Sequence, residues 1–259
     1  MKNIQIGIIG GTGGIGRWFA RFFKKEGYAV HVSGRKTGMD MDEMAEKCPV
    51  VIVSVPISAT VQVIKQLGPR MKKESLFMDL TSLKTEPVKA MLKSSISEVI
   101  GLHPLFGPNI RFMSGKNVAV CPVRTKKWLP WLTGILKRRG AHIIETTPEK
   151  HDEAMAIVQG LTHLNTITMG LILGDTGRKL SELKKFSTPI FDTKTSIIKK
   201  IFAGNPGLYA EIIVFNPHIH KILDLYIKDL SELKSLIDRM DTKGLTELME
   251  NRFRNFPTL

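Results

Sequence analysis

NIQIGIIGGTGGIG, residues 3–16, is the segment that most narrows the possible architectures of this chain. Its apolar run up to Ile9 is typical of a short buried strand in a parallel sheet. The glycines that follow fit the pattern G-x-G-x-x-G, and the amphipathic run GIGRWFARFFKKEG continues from them with helical periodicity. A strand, a glycine turn and a helix in this order predict a dinucleotide-binding unit near the N-terminus.

The glycine turn has a predicted task at each of three glycines. Gly11 permits a tight turn, Gly13 lets a pyrophosphate approach the backbone, and Gly16 allows the helix to pack closely against the strand. The free N–H groups at the start of the helix, with the positive end of its dipole, favour phosphate binding. The predicted phosphate-binding residues are Gly11, Thr12, Gly13, Gly14, Ile15 and Gly16. A glycine-rich turn that binds no ligand is the alternative interpretation.

The end of the second predicted strand, YAVHVSG, bears on the choice of cofactor. NAD-dependent folds place Asp or Glu about 20 residues after the first glycine, where it holds the ribose 2′-hydroxyl. Here the sequence runs Val32-Ser33-Gly34-Arg35-Lys36, without a carboxylate. Ser33, Arg35 and Lys36 would instead bind a 2′-phosphate through charge-assisted hydrogen bonds. We therefore expect NADP, with NAD also accepted if Arg35 only stacks on the adenine.

Strand and helix signals alternate through the first 148 residues. Seven short runs are typical of strands: NIQIGIIG, YAVHVSG, CPVVIVSVP, SLFMDLTS, EVIGLHPLFGP, NVAVCPV and AHIIETTP. Strands that alternate with helices predict an α/β fold with a doubly wound, mostly parallel sheet of the Rossmann type. We assign this Rossmann domain to residues 1–148.

Helical signals alone fill the rest of the chain, residues 149–259. The first run, HDEAMAIVQGLTHLNTITMGLILGD, is apolar most of the way round and is expected to be buried. Pro217 is expected to break or kink a later, longer run. The prediction is an all-α domain, and an apolar bundle of this size is suited to dimerisation.

The composition bounds the class of protein. Of the 259 residues, 42% are hydrophobic, which is enough for one large core or two modest ones. Cys48 and Cys121 are too few for a disulfide scaffold and lack the spacing of metal ligands, so we expect buried thiols and no metal site. We find no signal sequence and no apolar stretch near the ~20 residues of a membrane span. The resulting prediction is a cytoplasmic protein without a membrane partner.

The formal net charge of +14 raises the question of a nucleic-acid partner. The charge is concentrated, since residues 111–139 carry eight Lys or Arg and no acid. No helix-turn-helix, zinc-finger or aromatic-basic strand pattern accompanies these residues. A solvated basic face that attracts small anions is therefore favoured, and no nucleic-acid partner is expected.

Three predicted strands end in polar residues, at the edge where ligands bind in sheets of this kind. Ser54 and Pro56 follow the third strand and are expected beside the cofactor. Ser82 ends the fourth predicted strand, and His103 lies in GLHPLFGP, residues 101–108, where the fifth runs into a Pro/Gly loop. A histidine has an unperturbed pKa of about 6.5, which suits proton acceptance near neutrality. We predict that His103 is catalytic; a structural histidine is the alternative.

Several motifs, taken together, resemble those of the prephenate dehydrogenase family. In chain order they are GGTGGIGRWF, DLTSLK, GLHPLFGP and HDEAMAIVQGLTHL, and the similarity continues through PIFDTKTSIIKKIFAGNPGLYAEII, over nearly the whole chain. The resemblance implies oxidative decarboxylation of prephenate to 4-hydroxyphenylpyruvate in tyrosine biosynthesis, with a nicotinamide cofactor as hydride acceptor. It also implies a homodimer formed through the helical domain.

The resemblance assigns roles to single residues. His103 would accept a hydrogen bond, and then the proton, from the hydroxyl of the substrate ring. Ser82 would orient His103 or that hydroxyl. His163 matches a family histidine near the substrate, with a core or interface histidine as the alternative.

The residues around His163 agree with a role near a ligand. Asp152, Gln159 and His163 fall along one line of a helix with 3.6 residues per turn, among apolar neighbours. A polar stripe on such a helix needs partners or a ligand. His151 and Asp152 are expected to stabilise the helix start or the interdomain seam.

One departure from the family pattern concerns the substrate carboxylate. Many members place an Arg about nine residues before the Tyr of the GLYAEII-like segment; counting back from Tyr209 gives Lys200. Lys pairs with a carboxylate but lacks the bidentate fork of Arg. We predict Lys200 and Tyr209 at the substrate site, although Lys194 or Lys199 could share the task and Tyr209 could simply pack. If no cation serves, arogenate becomes the alternative substrate.

Two other classes of protein remain as alternatives. A β-hydroxyacid dehydrogenase would be expected to carry a catalytic Lys in the first long helix of the second domain, but residues 151–174 contain none. A non-catalytic NADP-binding regulator would bind the cofactor without turnover, and His103 and Ser82 argue against it. The sequence ends at Leu259, so we expect no regulatory domain after the helices and any feedback by tyrosine at the active site.

Overall fold

A single seven-stranded sheet organises the first part of the chain. The structure, a computed structural model, describes residues 4–34 and 38–254. The strands are β1 Gln5–Ile9, β2 Ala29–Ser33, β3 Val50–Val53, β4 Leu76–Asp79, β5 Glu98–Pro104, β6 Asn117–Arg124 and β7 His142–Glu145. Their order across the sheet is β2-β1-β3-β4-β5-β6-β7, and every neighbouring pair is parallel except β5 and β6. The predicted doubly wound, mostly parallel sheet is confirmed.

Helices accompany the strands and then replace them. Their bounds are α1 Gly14–Lys25, α2 Met41–Lys47, α3 Ile57–Leu67, α4 Thr85–Ser94, α5 Trp128–Arg138, α6 Pro148–Met155, α7 Thr162–Asp175, α8 Leu180–Leu183, α9 Pro189–Phe202, α10 Pro206–Val214, α11 Ile219–Asp238 and α12 Thr242–Arg254. The short α2 was not predicted, because its seven residues are too few for a clear helical period. All described elements after β7 are helical, as predicted.

The core of the sheet lies in two apolar clusters, one on each face. Phe19 and Phe23 of α1 pack with Leu132 of α5 in the first cluster. Met44 of α2 and Ile64 of α3 belong to the second. Covering both faces explains why the strands are apolar on both sides: the residues of β3 and β4 are all buried. This double burial holds the carboxyl ends of the strands in fixed positions.

The helix after β7 contains one turn of different pitch. Ala156–Leu161 forms a π-helical turn between α6 and α7, so that Pro148–Asp175 runs as one helix of 28 residues. The expectation that this run is buried is wrong for α7, which buries none of its residues within the described chain. Within the described chain α9 covers part of this helix, as where Phe202 lies against Gly170, while Leu171 and Ile172 are exposed.

The chain divides into two compact units between Asn216 and Pro217. The prediction that Pro217 interrupts a long helix agrees with this, since α10 ends at Val214 and α11 begins at Ile219. Within the second unit, the guanidinium of Arg252 on α12 lies 3.6 Å from the carboxylates of Asp229 and Glu232 on α11.

Candidate functional site

The carboxyl ends of four parallel strands lie side by side and define one edge of the sheet. Ile9 pairs with Val53, Val53 with Asp79, and Asp79 with Gly101, in a row across β1, β3, β4 and β5. Neighbouring strands are about 4.8 Å apart, so the row spans about 14 Å. The glycine turn follows the β1 end of this row and His103 lies near its β5 end. An extended dinucleotide would therefore have its phosphates at one end and its nicotinamide toward the other.

The glycine turn makes close backbone contacts. The positive φ of 77° falls on Gly10, so the tight turn predicted at Gly11 is made one residue earlier. The N–H of Gly10 donates to the carbonyl of Ser33 at 2.8 Å, which ties the turn to the end of β2. A Cβ at Gly11 would lie 2.7 Å from Cγ1 of Val32, so Gly11 serves a close approach between neighbouring chain segments.

The start of α1 is open and lacks a side-chain cap. Gly13 is the N-cap residue, no described side chain accepts the orphan N–H groups of the helix, and Thr12, Gly13 and Gly14 are exposed. A Cβ at Gly16 would lie 2.5 Å from the carbonyl oxygen of Gly10, so helix and turn pack too closely for any larger residue. Exposed N–H groups at a helix start beside a cradle that a Cβ would fill suit a pyrophosphate. The residues present therefore fit a dinucleotide.

The other predicted cofactor residues surround this turn. Ser33 ends β2 and is partly buried, while Arg35 and Lys36 lie outside the described residues. The Ser54 N–H donates to the carbonyl of Ile9 at 2.8 Å. Pro56 is the exposed N-cap residue of α3.

The loop after β5 reaches the glycine turn. The ring of Phe106 packs edge-on against Trp18 of α1, and the indole N–H of Trp18 donates to the carbonyl of Ile110 at 2.8 Å. Cγ of Pro108 lies 3.3 Å from the place a Cβ would take at Gly14. The segment that carries His103 is thus continuous with the predicted phosphate site.

His103 is held by a buried partner from the helical part of the chain. Its Nδ1 lies 2.9 Å from Nε2 of His151, whose Nδ1 lies 2.8 Å from Oδ1 of Asp152. All three side chains are buried, and Nε2 of His103 has no partner among the described residues. Burial, and then the nearby His151 and Lys84, hold the pKa of His103 well below its usual 6.5. His103 is therefore neutral at neutral pH, with one ring nitrogen left for a ligand.

Asp152 takes one of its two predicted positions, and Ser82 does not contact His103. Oδ1 and Oδ2 of Asp152 each accept a backbone N–H at 2.8 Å, from Lys84 and Thr85, so this carboxylate caps α4 rather than its own helix. It does lie at the seam between α6 and the sheet, as one predicted role required. Ser82 is partly buried and makes no hydrogen bond to His103 within the described chain. The side chain that contacts His103 is instead His151, for which the sequence analysis predicted only a role at the helix start or the interdomain seam.

A buried ion pair supports the same edge of the sheet. The ammonium group of Lys84 donates to the carboxylate of Asp79 and, at 3.0 Å, to the carbonyl of Leu102, which precedes His103. Both charged side chains are fully buried. Lys84 thus links the end of β4 to the strand of His103.

His163 and Tyr209 form a second polar group on the helices. Their rings pack edge to face with centroids 4.9 Å apart, and burial lowers the pKa of His163. Gln159, four residues earlier in the π-helical turn, has a buried Oε1 without a hydrogen-bond partner. Because the π turn changes the pitch, the predicted single line through Asp152, Gln159 and His163 does not hold. Lys200 is exposed on α9, and no contact with His163 or Tyr209 is present among the described residues.

The comparisons with known proteins bear on the identity of this arrangement. Residues 19–145 match the family model described as prephenate dehydrogenase, nucleotide-binding domain, and residues 147–251 match prephenate dehydrogenase, dimerization domain. The chain belongs to the prephenate dehydrogenase family. The resemblance noted in the motifs is confirmed.

Two curated relatives share about a third or more of their aligned residues with this chain. A probable arogenate/prephenate dehydrogenase of Methanocaldococcus jannaschii is 38% identical over 98% of this chain and 61% of its own length. The T-protein of Haemophilus influenzae is 32% identical over 94% of this chain and 64% of its own length. The chain therefore spans less than two thirds of the length of these relatives.

Solved structures of the prephenate dehydrogenase family share the fold. Synechocystis arogenate dehydrogenase superposes with a TM-score of 0.72 over 96% of this chain and 97% of its own, at 21% identity. Aquifex aeolicus prephenate dehydrogenase, in complex with hydroxyphenyl propionate and NAD+, gives 0.70 over 96% and 95%, at 20% identity.

The family match also bears on the exposed helix Pro148–Asp175. With a mean hydropathy of 1.3, it is long and apolar enough to cross a membrane by length and composition, contrary to the sequence expectation, and 11% of its apolar window is buried. The same features describe a helix whose apolar face another protein covers. This helix lies in the region that matches a dimerization domain.

Proposed function

We propose that this chain is a prephenate dehydrogenase that converts prephenate to 4-hydroxyphenylpyruvate by oxidative decarboxylation. The observation that carries the proposal is the neutral, buried His103, held by His151 through Nδ1 while Nε2 has no partner among the described residues. A neutral imidazole nitrogen at the edge where ligands bind is suited to accept a hydrogen bond from a substrate hydroxyl.

The reaction requires the protein mainly to orient the substrate and to polarise its ring hydroxyl. The nicotinamide, when bound, supplies the hydride acceptor. His103 polarises the ring hydroxyl and takes its proton as the hydride leaves the same carbon. Loss of carbon dioxide from the opposite carbon makes the ring aromatic, which drives the reaction. The residues of this chain therefore need only hold the hydroxyl against Nε2 and exclude water.

The helical residues supply the substrate end of the proposed site. His163 and Tyr209 form a partly buried edge-to-face pair, and the unpaired buried oxygen of Gln159 would be satisfied by a ligand donor. We assign the substrate carboxylate to Lys200, whose exposed ammonium is free of ion pairs in the described chain. Arogenate, which carries an amino group on its side chain, is the second candidate, favoured by the use of Lys in place of Arg.

For the cofactor we propose a preference for NADP over NAD. No carboxylate follows Ser33, and Arg35 and Lys36 are placed in sequence to meet a 2′-phosphate. Turnover with each of the four substrate–cofactor pairs separates the possibilities. Arg35→Ala is expected to raise the KM for NADP and to leave that for NAD unchanged; an equal effect on both would contradict the preference.

We further propose that two copies associate through the helical region, in the cytoplasm. The exposed apolar residues of α7, such as Leu171 and Ile172, match the apolar core of a dimer interface. The free, buried thiols of Cys48 and Cys121 fit a reducing compartment. Light scattering on the purified protein should give twice the chain mass of 29.0 kDa.

The decisive test is turnover with prephenate and NADP, followed by the absorbance of the reduced nicotinamide. His103→Asn should lower kcat by about 100-fold or more, because an amide does not take the proton. His142→Asn, at an exposed histidine of β7, is the matched control and should retain activity. Cofactor binding without turnover in the unaltered protein would favour the non-catalytic regulator, and equal rates for the His103 variant would refute the catalytic assignment.

A further inference from the structure

His103, His151 and Asp152 form a chain of hydrogen bonds, and the donors and acceptors are fixed at Asp152. Oδ1 and Oδ2 of Asp152 accept the backbone N–H groups of Lys84 and Thr85, both at 2.8 Å, and a backbone N–H can only donate. Burial opposes the charge, but hydrogen bonds from His151, Thr85 and Lys84 outweigh it and lower the pKa of Asp152. Asp152 is therefore an ionised acceptor, and His151 must donate its Nδ1–H to it.

In the neutral form of His151, this donation also sets the direction of the hydrogen bond to His103. A neutral His151 that carries its proton on Nδ1 has a bare Nε2, which can only accept. The group 2.9 Å from that nitrogen is Nδ1 of His103, which must then be the donor. A neutral His103 with its proton on Nδ1 has a lone pair on Nε2. The direction of the hydrogen bond at Asp152 thus determines the direction of the bond between the two histidines. It leaves Nε2 of His103 as an acceptor for a ligand.

From this geometry we propose that His151 is a positioning residue: it fixes the tautomer of His103 and holds the substrate's proton while the ring reacts. This rests on the proposed function. The hydroxyl proton moves to Nε2 of His103, and the Nδ1 proton of His103 moves to Nε2 of His151. The resulting imidazolium of His151 lies between ionised Asp152 and neutral His103.

The proton balance of the reaction explains why His151 can hold the substrate's proton without exchanging it with solvent. The substrate loses a hydride and carbon dioxide and becomes a phenol, which still carries its hydroxyl proton. No proton is released overall, so the one lent to the enzyme returns to the phenolate as the ring becomes aromatic. A relay that ends at Asp152, buried and already accepting two backbone N–H groups, holds a proton without passing it to solvent.

The other charged groups near His103 and His151 favour the early return of the proton to the substrate. The ammonium of Lys84, paired with Asp79, faces the strand of His103 from α4 and lowers the pKa of His103. On the neighbouring β6, burial raises the pKa of Cys121 to about 12, so this thiol is neutral. Among the described residues, Asp152 is the anion in contact with the relay, and the cation beside it, Lys84, is paired with Asp79.

The direct test is the tautomer of His103 in the substrate-free protein, read from ring nitrogen NMR with labelled histidine. The chain has seven histidines, and single variants assign their signals. We expect His103 with hydrogen on Nδ1 and a bare Nε2. Hydrogen on Nε2 in the unaltered, neutral protein would overturn the proposal, whatever the turnover.

Two variants at His151 separate positioning from packing. His151→Leu removes the acceptor, so His103 should lose its Nδ1–H preference and kcat should fall about 10- to 100-fold. His151→Gln offers an amide oxygen to Nδ1; it should restore the tautomer and part of kcat, yet not the full rate, because an amide stores no proton. His142→Leu, at the exposed histidine of β7, is the control.

Each result either supports or refutes the proposed role of His151. Full activity in His151→Leu, or full recovery in His151→Gln, would refute the proton store. If the Leu variant fails to fold, the tautomer of the unaltered protein and the partial rate of the Gln variant still decide. Absence of turnover in the unaltered protein with every substrate–cofactor pair would instead count against the proposed function, while the tautomer would remain measurable.

Discussion

The ammonium group of Lys84 and the carboxylate of Asp79 form an ion pair with both side chains fully excluded from solvent. The same Lys84 binds the carbonyl of Leu102 through its side chain, at 3.0 Å, and Oδ1 of Asp152 through its backbone, at 2.8 Å. One residue thus joins the ends of β4 and β5 to the helix that carries His151. The pair ties the predicted catalytic edge together at the cost of burying two charges.

Lys84→Met should lower the free energy of unfolding by about 3–5 kcal/mol, because it leaves the Asp79 carboxylate buried without a compensating charge. Urea unfolding at constant pH measures the change. The double variant Lys84→Met/Asp79→Leu removes both charges and should recover most of the loss. A double variant as unstable as the single one would show that packing, not the unpaired charge, sets the effect.

The stability of the fold should fall on mild acidification. The pKa of His103 is lowered in the folded state, so between that pKa and about 6.5 the unfolded chain binds the extra proton. The stability is therefore complete above about pH 6.5 and is lost as the pH falls through the lower, folded pKa; His163 contributes with the same sign. Asp152, whose pKa is lowered from 3.8, acts only at more acidic pH.

The change of the unfolding free energy with pH is measured at pH 7.5 and 5.5, roughly one unit either side of the unperturbed pKa of histidine. Each lowered histidine contributes at most about 1.4 kcal/mol per pH unit. His103→Gln should flatten the slope even if it shifts the whole curve. An unchanged slope would mean that His103 is not held neutral by the fold.

Two glycine variants should separate packing from phosphate binding. Gly16→Ala places a Cβ 2.5 Å from the Gly10 carbonyl, so we expect both a lower unfolding free energy and loss of cofactor binding. At Gly13 the nearest atom, the Gly10 oxygen, would be 3.4 Å away, an ordinary contact. Gly13→Ala should therefore retain stability but bind NADP more weakly in a fluorescence titration. Unimpaired binding by Gly13→Ala would argue against a pyrophosphate at this point.

Glu211 of α10 should support the start of α3. Its carboxylate accepts the N–H of Ile57 at 2.8 Å and the hydroxyl of Ser58 at 2.5 Å, next to Pro56. A charged side chain at a helix N-terminus typically stabilises by about 0.5–2 kcal/mol. Glu211→Ala should lower the free energy of unfolding by an amount in this range, measured in urea, with Glu153→Ala, at an exposed residue in the last turn of α6, as the comparison. Equal effects of the two variants would refute a specific cap.

Much of the architecture followed from the sequence because it depends on contacts that are local along the chain. Strand and helix periods identify elements wherever side-chain spacing matches backbone pitch, and all seven strands were found this way. The glycine turn could be located because only glycine tolerates the close approach seen at Gly16. His103 was placed near a strand end from the sequence alone, and it lies in β5, one residue before that strand ends at Pro104.

What only the tertiary structure decided involves residues far apart in the chain. His151 and His103 are 48 positions apart, so no local pattern shows that one ring holds the other. The antiparallel β6, the π turn that displaces His163 from the line of Asp152, and the exposed face of α7 likewise depend on what packs against each segment. Side-chain spacing along the chain therefore predicted the elements, whereas packing between distant segments determined which ring nitrogen of His103 contacts His151.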